Sequence, residues 1–219
     1  MNKLSNFYSS SVGKKFIVGF TGLFLCSFLV VHLMGNLLLF RPDEGMAFDK
    51  YADFMASNPI IRTLEIILFV GFFIHIFIAT LLWFRNRLAR PQTYAVNRPE
   101  GYSSFSSRMA FVTGSCVFIF LMVHLNSFWI TSRFHAEEYP SMYELVHSKF
   151  SSATYCGFYV LAMILLGYHL KHGFQSAFQT FGLREKKYTP LIEAVGAIFW
   201  LLIPIGFASM PIFFLFWRS

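Results

Sequence analysis

The chain has 219 residues, of which 56% are hydrophobic and only 13% are charged. A soluble domain carries about 25% charged residues to cover its surface, so this composition excludes a water-soluble globular protein and indicates one that faces lipid. The formal net charge of +7 would suit a nucleic-acid-binding protein, but no aromatic and basic recognition motif is present, and we expect no nucleic-acid partner.

Five stretches lack Asp, Glu, Lys and Arg altogether and run for 19 to 25 residues. A bilayer core of about 30 Å needs about 20 helical residues, so each stretch is long enough to cross it once. The sequence therefore predicts an all-α integral membrane protein with one membrane domain over residues 1–219. Its five transmembrane helices, spans I to V, are predicted at about residues 16–40, 60–84, 109–131, 150–177 and 191–217.

The segments between the spans are polar. The loop 41–59 is acidic and is predicted to hold a short surface helix over residues 47–56. Pro59 suits the first turn of span II, because that position needs no backbone N–H. Prolines in the loop 85–108 argue against helix there. Span I is not expected to be a cleaved signal peptide, since its apolar run exceeds the about 7–15 residues of such a segment.

Basic residues indicate the orientation of the chain. With the N-terminus in the cytoplasm, 12 of the 18 Lys and Arg residues fall in inner segments and six in outer ones. Loops on the cytoplasmic side of a membrane carry an excess of Lys and Arg. We therefore expect a multi-pass membrane protein with its N-terminus in the cytoplasm, and the words inner and outer below follow this expectation.

Prolines and cysteines inside the spans are assigned structural roles. Pro204 and Pro211 are expected to kink span V. Cys26, Cys116 and Cys156 lie singly in three spans, without the spacing of a zinc site, a redox motif or covalent haem attachment. Small apolar fillers are the simplest interpretation of these cysteines.

Histidines are the main indication of function. Spans I to IV contain one each at the predicted bundle depth, namely His32, His75, His124 and His169. Counted from the span ends, His32 and His124 lie about 24 Å from the inner boundary, whereas His75 and His169 lie about 15 Å from it. The sequence therefore predicts two layers, an outer pair (His32 and His124) and an inner pair (His75 and His169).

Two facing imidazoles in an apolar bundle suit a haem iron with both axial positions filled, and such an iron favours electron transfer over oxygen chemistry. Zinc or di-iron sites favour Asp, Glu or Cys beside the histidines, and a proton pathway favours a carboxylate at mid-membrane. The inner halves of these spans contain no Asp or Glu. Histidines hydrogen-bonded across helices in a haem-free bundle remain an alternative.

Several motifs resemble those of a known family. The chain resembles the single-chain, di-haem, b558-type cytochrome b membrane-anchor subunit of succinate dehydrogenase/fumarate reductase, over essentially its whole length. The matching motifs are SVGKK at 11–15, VHLMGNL at 31–37, FIH at 73–75, MVHL at 122–125 and YHLKHG at 168–173.

The resemblance implies a multi-pass protein of the bacterial cytoplasmic (inner) membrane, with helices I to IV forming a di-haem four-helix bundle. His32 and His124 would ligate the outer haem b, and His75 and His169 the inner one. It also implies a flavoprotein and an iron–sulfur subunit on the cytoplasmic face, which would carry the FAD, the iron–sulfur clusters and the dicarboxylate chemistry. Quinone, typically menaquinone, would be the substrate of this chain within the membrane, and no catalytic residue for dicarboxylate chemistry is expected in it.

Two further groups of residues are weaker candidates. His172, Lys171, Arg85 and Arg87 lie near the inner ends of spans and could pair with haem propionates, since cations pair well with carboxylates. Glu44 and Glu65 lie at the outer side and could give a quinone site access to protons. Solvated loop positions are the alternative interpretation for each of the two glutamates.

Two other functions remain open. A cytochrome b subunit of another membrane oxidoreductase, such as a hydrogenase or a formate dehydrogenase, would use the same four histidines with different partners. A bc1-type cytochrome b fits less well, since its histidines fall two to a helix. A haem-free transporter or assembly protein is the second alternative, although such proteins commonly show internal repeats, and no convincing repeat stands out.

Overall fold

The computed structural model describes residues 10–88 and 105–217, without the side chains of residues 105–108. This part of the chain is all-helical, with no strand. Five helices of 26 to 30 residues are long and apolar enough to cross a membrane: Ser11–Phe40, Pro59–Leu88, Met109–Phe134, Ala153–Thr180 and Thr189–Trp217. They correspond to spans I to V, and they confirm the all-α class and the number of candidate spans.

Helix extends further at the inner ends than predicted. Span II continues to Leu88, and the helix that contains span III already begins at Phe105. Both positions belong to the loop 85–108 that was predicted to be non-helical. The prolines on which that prediction depended lie in residues 89–104, outside the described part of the chain.

Short polar residues begin two of the spans. The Asn58 side-chain oxygen accepts a hydrogen bond from the Ile60 amide at 2.9 Å, directly before Pro59 at the first helical position. The Ser152 hydroxyl accepts one from the Tyr155 amide at 3.4 Å. Such side chains satisfy amide groups that have no partner within the helix, so the local sequence sets where these spans start.

Spans III and V each contain a π-helical segment that was not predicted. Span III is α-helical up to His124 and resumes at Thr131, with the π-helical segment Leu125–Ile130 between them. In span V the π-helical segment Ile198–Leu202 precedes Pro204, which has no N–H for the carbonyl four residues earlier. Single π-helical turns often occur at functional sites, and the first of these begins directly after a candidate ligand.

Two short helices pack over one end of the spans and are named here the outer cap. Met46–Ser57 confirms the surface helix predicted at 47–56, whereas Met142–Phe150 was not predicted. Span IV was expected to begin at residue 150, but the cap helix ends there and span IV begins at Ala153. Asp49 joins the two cap helices, since its carboxylate accepts the Tyr143 amide at 2.8 Å.

The spans pack unevenly. Span I lies against spans II and IV, span III lies against span IV, and span V packs on span IV and, over a smaller area, on span I. Spans II and III meet mainly near their ends, where Trp83 stacks on Phe111 with ring centroids 3.9 Å apart and Phe69 meets Trp129 at 5.4 Å. The side chains of the first four spans therefore surround an interior into which the four histidines project.

Candidate functional site

The four span histidines form two pairs of neighbouring rings. The ring centroids of His32 and His124 lie 5.8 Å apart, and those of His75 and His169 lie 6.4 Å apart. In each pair the two rings are nearly perpendicular, at 83° and 84°. These are the pairs expected from depth along the spans, and each pair joins two spans that are not neighbours in sequence.

The separations fit one metal ion between each pair of rings. Two imidazoles on opposite sides of one ion, with metal–nitrogen bonds of about 2 Å, hold their ring centroids about 6 Å apart. Among the described residues, no three His, Cys, Asp or Glu side chains come together as a metal-binding group. A haem supplies four nitrogen ligands of its own and needs only two from the protein, so a haem fits this arrangement.

The hydrogen bond at the His75 ring defines which nitrogen is available for a metal. His75 Nδ1 lies 3.2 Å from the Thr21 hydroxyl oxygen, and that hydroxyl donates its own hydrogen to the Ile17 carbonyl at 2.8 Å. When the hydroxyl donates to span I in this way, Nδ1 carries the proton and donates it to Thr21. Nε2 then keeps its lone pair, which is the arrangement that partners of metal-binding histidines impose.

The His169 ring has a corresponding environment in span III. Its Nδ1 atom is buried and has no hydrogen-bond partner of good geometry, although the Ala110 carbonyl lies beside the ring. A buried, unpaired polar atom of this kind is costly. The nearby Thr113 hydroxyl donates to the carbonyls of Met109 and Ala110, just as Thr21 does to the equivalent carbonyls of span I.

Glycines make room for both rings of the inner pair. A Cβ atom on Gly22 would lie 3.2 Å from His75 Cε1, and one on Gly114 would lie 3.1 Å from His169 Cε1. Both distances are tighter than ordinary contacts between side-chain atoms. Any larger residue at either position would push the neighbouring imidazole, so these glycines allow spans I and III to support the rings closely.

A short internal repeat explains the similarity of the two sides. Thr21-Gly22 precedes His32 in span I with the same spacing that separates Thr113-Gly114 from His124 in span III. In each copy the Thr-Gly step lies beside the inner pair and the histidine belongs to the outer pair. This repeat was not predicted, although the sequence shows one polar residue and one glycine at matching positions in two apolar spans.

The outer pair lies directly beneath the outer cap. His124 Nδ1 is 2.5 Å from the Tyr159 hydroxyl oxygen, and Phe128 packs against the same imidazole with ring centroids 5.3 Å apart. Both Tyr159 and Phe128 belong to the buried cluster that the cap residues complete. Tyr159 was not predicted as a site residue, although it is a polar residue within span IV, ten positions before His169.

His32 has an amide donor near its ring. The Asn36 amide nitrogen donates to the His32 carbonyl at 2.8 Å and lies 3.4 Å from His32 Nδ1. A donor at Nδ1 favours the form of imidazole that carries its proton on Nε2. Metal binding through Nε2 therefore requires the proton to move to Nδ1, where it would replace the long contact with Asn36.

The inner cationic candidates lie in different places. Arg85 and Arg87 are exposed on the last turns of span II, with the Arg87 guanidinium 5.5 Å from the Trp83 ring centroid. His172 is half-buried and close enough to His169 for their charges to interact. The Lys171 ammonium lies 4.6 Å from the Trp200 ring centroid, on the side of span IV that faces span V.

The two outer glutamates differ in their surroundings. Glu65 accepts hydrogen bonds from the Trp129 indole at 2.5 Å and from Arg133 at 3.2 Å, and it also pairs with Arg62. Its side chain is only 19% exposed. Glu44 is exposed in the turn before the first cap helix and has a positive φ of 55°. Of the two, only Glu65 is built into the contact between spans II and III.

The glycines close to the histidines in sequence have other roles. Gly35, Gly71 and Gly167 face Tyr51, Phe24 and the Trp200 carbonyl respectively, and Gly173 faces open space. Room for the imidazoles comes from spans I and III, which sequence proximity to each histidine does not reveal. Glycines of a facing helix are identified only when the depths of the spans are compared.

The chain matches no protein-family model, no curated protein and no solved structure.

Proposed function

We propose that the chain is the di-haem cytochrome b membrane anchor of a succinate:quinone oxidoreductase, a succinate dehydrogenase or fumarate reductase. The observation that carries the proposal is the pairing of four histidines, one from each of four spans, at ring separations of 5.8 and 6.4 Å. Haem iron held between two imidazoles exchanges single electrons and leaves no position for oxygen. The sequence motifs in the same spans support the assignment to this family.

The protein would supply the ligands, their orientation and a dry environment. His32 and His124 would hold one haem b, and His75 and His169 the other. The Thr21 hydroxyl would hold the proton of His75 on Nδ1 and leave Nε2 free for iron. Around the outer pair, Phe28 and Phe207 pack on His32, with ring centroids 5.3 and 5.5 Å from the imidazole, and exclude water from it.

Partners would complete the reaction on both sides of the chain. A flavoprotein and an iron–sulfur subunit would dock at the inner face, where the basic segments give a complementary charge, and they would contain the FAD and the iron–sulfur clusters. Quinone, expected to be menaquinone, would react within the membrane. Glu65 is the better candidate for its site, because this carboxylate is held between spans II and III beside Trp129 and Arg133.

The choice of partner is tested with membranes that contain the native complex. Succinate, formate and hydrogen are added separately, and reduction of b-type haem is followed by its optical spectrum. We expect succinate alone to reduce the haem, and the subunits that co-purify with the chain to include a flavoprotein and an iron–sulfur protein.

Reduction by formate or hydrogen but not by succinate would assign the chain to the corresponding oxidoreductase. Malonate, which competes with succinate at a dicarboxylate site, serves as the control. It should abolish reduction by succinate and leave chemical reduction by dithionite unchanged.

A further inference from the structure

The side of span IV that faces span V carries two hollows that are separate from the histidine pairs. One, of about 260 Å³, is lined by Lys171, Gln175 and Glu193 among others. The second, of about 360 Å³, is a groove whose walls include Ile164 and Ile205. Lys171 and Trp200 line both hollows, so a single ligand can occupy the two together.

The shape and polarity of the joined hollows match an amphiphile. All charged lining residues lie at the inner end, while the groove runs outward along apolar walls to Val160. The twelve residues from Val160 to Lys171 cover about 16 Å of helix, which is the length of much of a phospholipid acyl chain. Ile164 and Ile205 are 54% and 56% exposed, so the groove opens sideways, where lipid would reach it.

The Lys171 ammonium is held at the junction of the two hollows. It lies 4.6 Å from the Trp200 ring centroid, a cation–π contact that fixes its position without neutralising its charge. Spans IV and V approach closely here, since a Cβ on Gly167 would lie 2.8 Å from the Trp200 carbonyl oxygen. Lysine at the edge of the hydrocarbon layer commonly reaches for lipid phosphate.

The second charged group that lines the hollow of about 260 Å³ is Glu193, which is negative. Glu193 pairs with Arg184 at 3.7 Å, and the two side chains are 53% and 40% exposed. Ion pairs this exposed contribute little, so the carboxylate can accept a further hydrogen bond from a ligand. The hollow therefore presents one cation and one anion, which matches a headgroup containing both a phosphate and an N–H ammonium.

We propose that this groove between spans IV and V binds phosphatidylethanolamine, with its phosphate at Lys171, its ammonium at Glu193 and one acyl chain along Ile164 and Ile205. The site is independent of haem and of the proposed succinate:quinone function. The bound lipid would stabilise the packing of span V on span IV. The π-helical segment Ile198–Leu202 interrupts the regular helix of span V at this place.

The full-length chain in detergent, stripped of lipid, tests this proposal. Dioleoyl phosphatidylethanolamine, phosphatidylglycerol or phosphatidylcholine is added, and bound lipid is counted by native mass spectrometry. We expect phosphatidylethanolamine to bind about tenfold more tightly than phosphatidylcholine, because the quaternary amine of the latter has no N–H to donate to Glu193.

Three variants separate the contacts. Lys171→Gln should weaken both phosphatidylethanolamine and phosphatidylglycerol about tenfold, since each loses its charge-assisted bond to phosphate. Glu193→Gln should reduce phosphatidylethanolamine to the level of phosphatidylcholine and leave phosphatidylglycerol unchanged. Lys187→Gln is the matched control, because Lys187 lies over Tyr188 and lines neither hollow, and it should behave as the parent chain.

Equal binding of phosphatidylethanolamine and phosphatidylcholine to the parent chain would overturn the proposal. Tighter binding of phosphatidylglycerol, displacement of the lipid by a quinone, or undiminished binding to Lys171→Gln would do so as well. If a charge variant loses helicity, Ile164→Trp replaces it, since this change fills the groove and should weaken all three lipids alike. Parent-like binding by Ile164→Trp would equally contradict the assignment.

Discussion

A histidine can bind a metal ion only through a nitrogen that carries no proton, so the partner of its other nitrogen matters as much as its position. His75 Nδ1 lies 3.2 Å from the Thr21 hydroxyl oxygen, and His124 Nδ1 lies 2.5 Å from the Tyr159 hydroxyl oxygen. His169 Nδ1 is buried without a partner of good geometry, and His32 faces an amide donor. The four candidate ligands therefore differ in how far their surroundings prepare them for iron.

Tyr159 is expected to tune the outer haem. If His124 binds iron through Nε2, its Nδ1 proton is donated to Tyr159, which makes the imidazole a stronger electron donor and stabilises oxidised iron. Tyr159→Phe removes this bond, worth about 1 kcal/mol, and should raise the midpoint potential of the outer haem by about 40 mV. A spectroscopic redox titration of the purified chain measures the shift.

Tyr139→Phe is the matched control, because Tyr139 lies in the outer loop, where its ring contacts Lys149. It should leave both potentials unchanged. A Tyr159→Phe chain that retains both haems at parent potentials would show that the tyrosine plays no part in holding the ligand.

At the scale of the helix, spans I and III are two versions of one element. Each contains a Thr-Gly step followed, at the same spacing, by a histidine of the outer pair. The glycine of each element lies about 15 Å of helix below its histidine, and it faces an imidazole of the inner pair. Spans I and III therefore each supply a candidate ligand to the outer pair and a supporting glycine to the inner pair.

Substitution of these glycines tests the supporting role. Gly22→Leu and Gly114→Leu place a side chain where a Cβ alone would come within 3.2 and 3.1 Å of the neighbouring imidazole. Overpacking of this kind costs about 1–3 kcal/mol and should displace one ligand of the inner pair. We expect each variant to lose the inner haem and to retain the outer one, as counted by extracted haem and by redox titration.

Gly157→Leu provides the control for these two variants. Nothing lies within 4 Å of a Cβ at Gly157, although it is also a glycine of a membrane span. This variant should retain both haems. Loss of the outer haem in Gly114→Leu, with the inner haem intact, would refute the assignment of the two glycines to the inner layer.

Elements set by local or one-dimensional patterns could be predicted from the sequence. Uninterrupted apolar stretches located the five spans, and counting residues from their ends placed the histidines in two layers. The start of span IV was misplaced because a second cap helix, Met142–Phe150, ends where the apolar stretch begins. This helix is separate from span IV because it packs against Met46–Ser57. The contact between Asp49 and Tyr143 that joins the two helices links residues distant in sequence.

The supporting residues of the site could not be read from proximity along the chain. Thr21, Gly114 and Tyr159 contact histidines that belong to other spans. Which faces of neighbouring helices meet depends on their rotation about their own axes, and five apolar spans with polar residues on few faces leave that rotation undetermined. The π-helical segment Leu125–Ile130 adds a further rotation, because it changes which side chains of span III face its neighbours after His124.

At the scale of the whole molecule, the two ends of the bundle are built differently. The outer cap closes one end with a buried cluster that includes Tyr143, Phe150 and Tyr159, directly over the outer histidine pair. The described side of the inner end is uncapped and has exposed Arg85 and Arg87. A partner that exchanges electrons with the inner pair would therefore approach from this end.

The number of haem groups per polypeptide tests the central claim most directly. The full-length chain is produced with ample haem supply, and its reduced-minus-oxidised spectrum is recorded together with the amount of extracted haem. We expect two b-type haems per polypeptide in the parent chain. His32→Ala and His75→Ala should each retain one haem, and the haem lost should differ between the two variants. His135→Ala, in an exposed outer segment, should retain both. A well-folded chain with no haem, or with one that survives both span substitutions, would contradict the account.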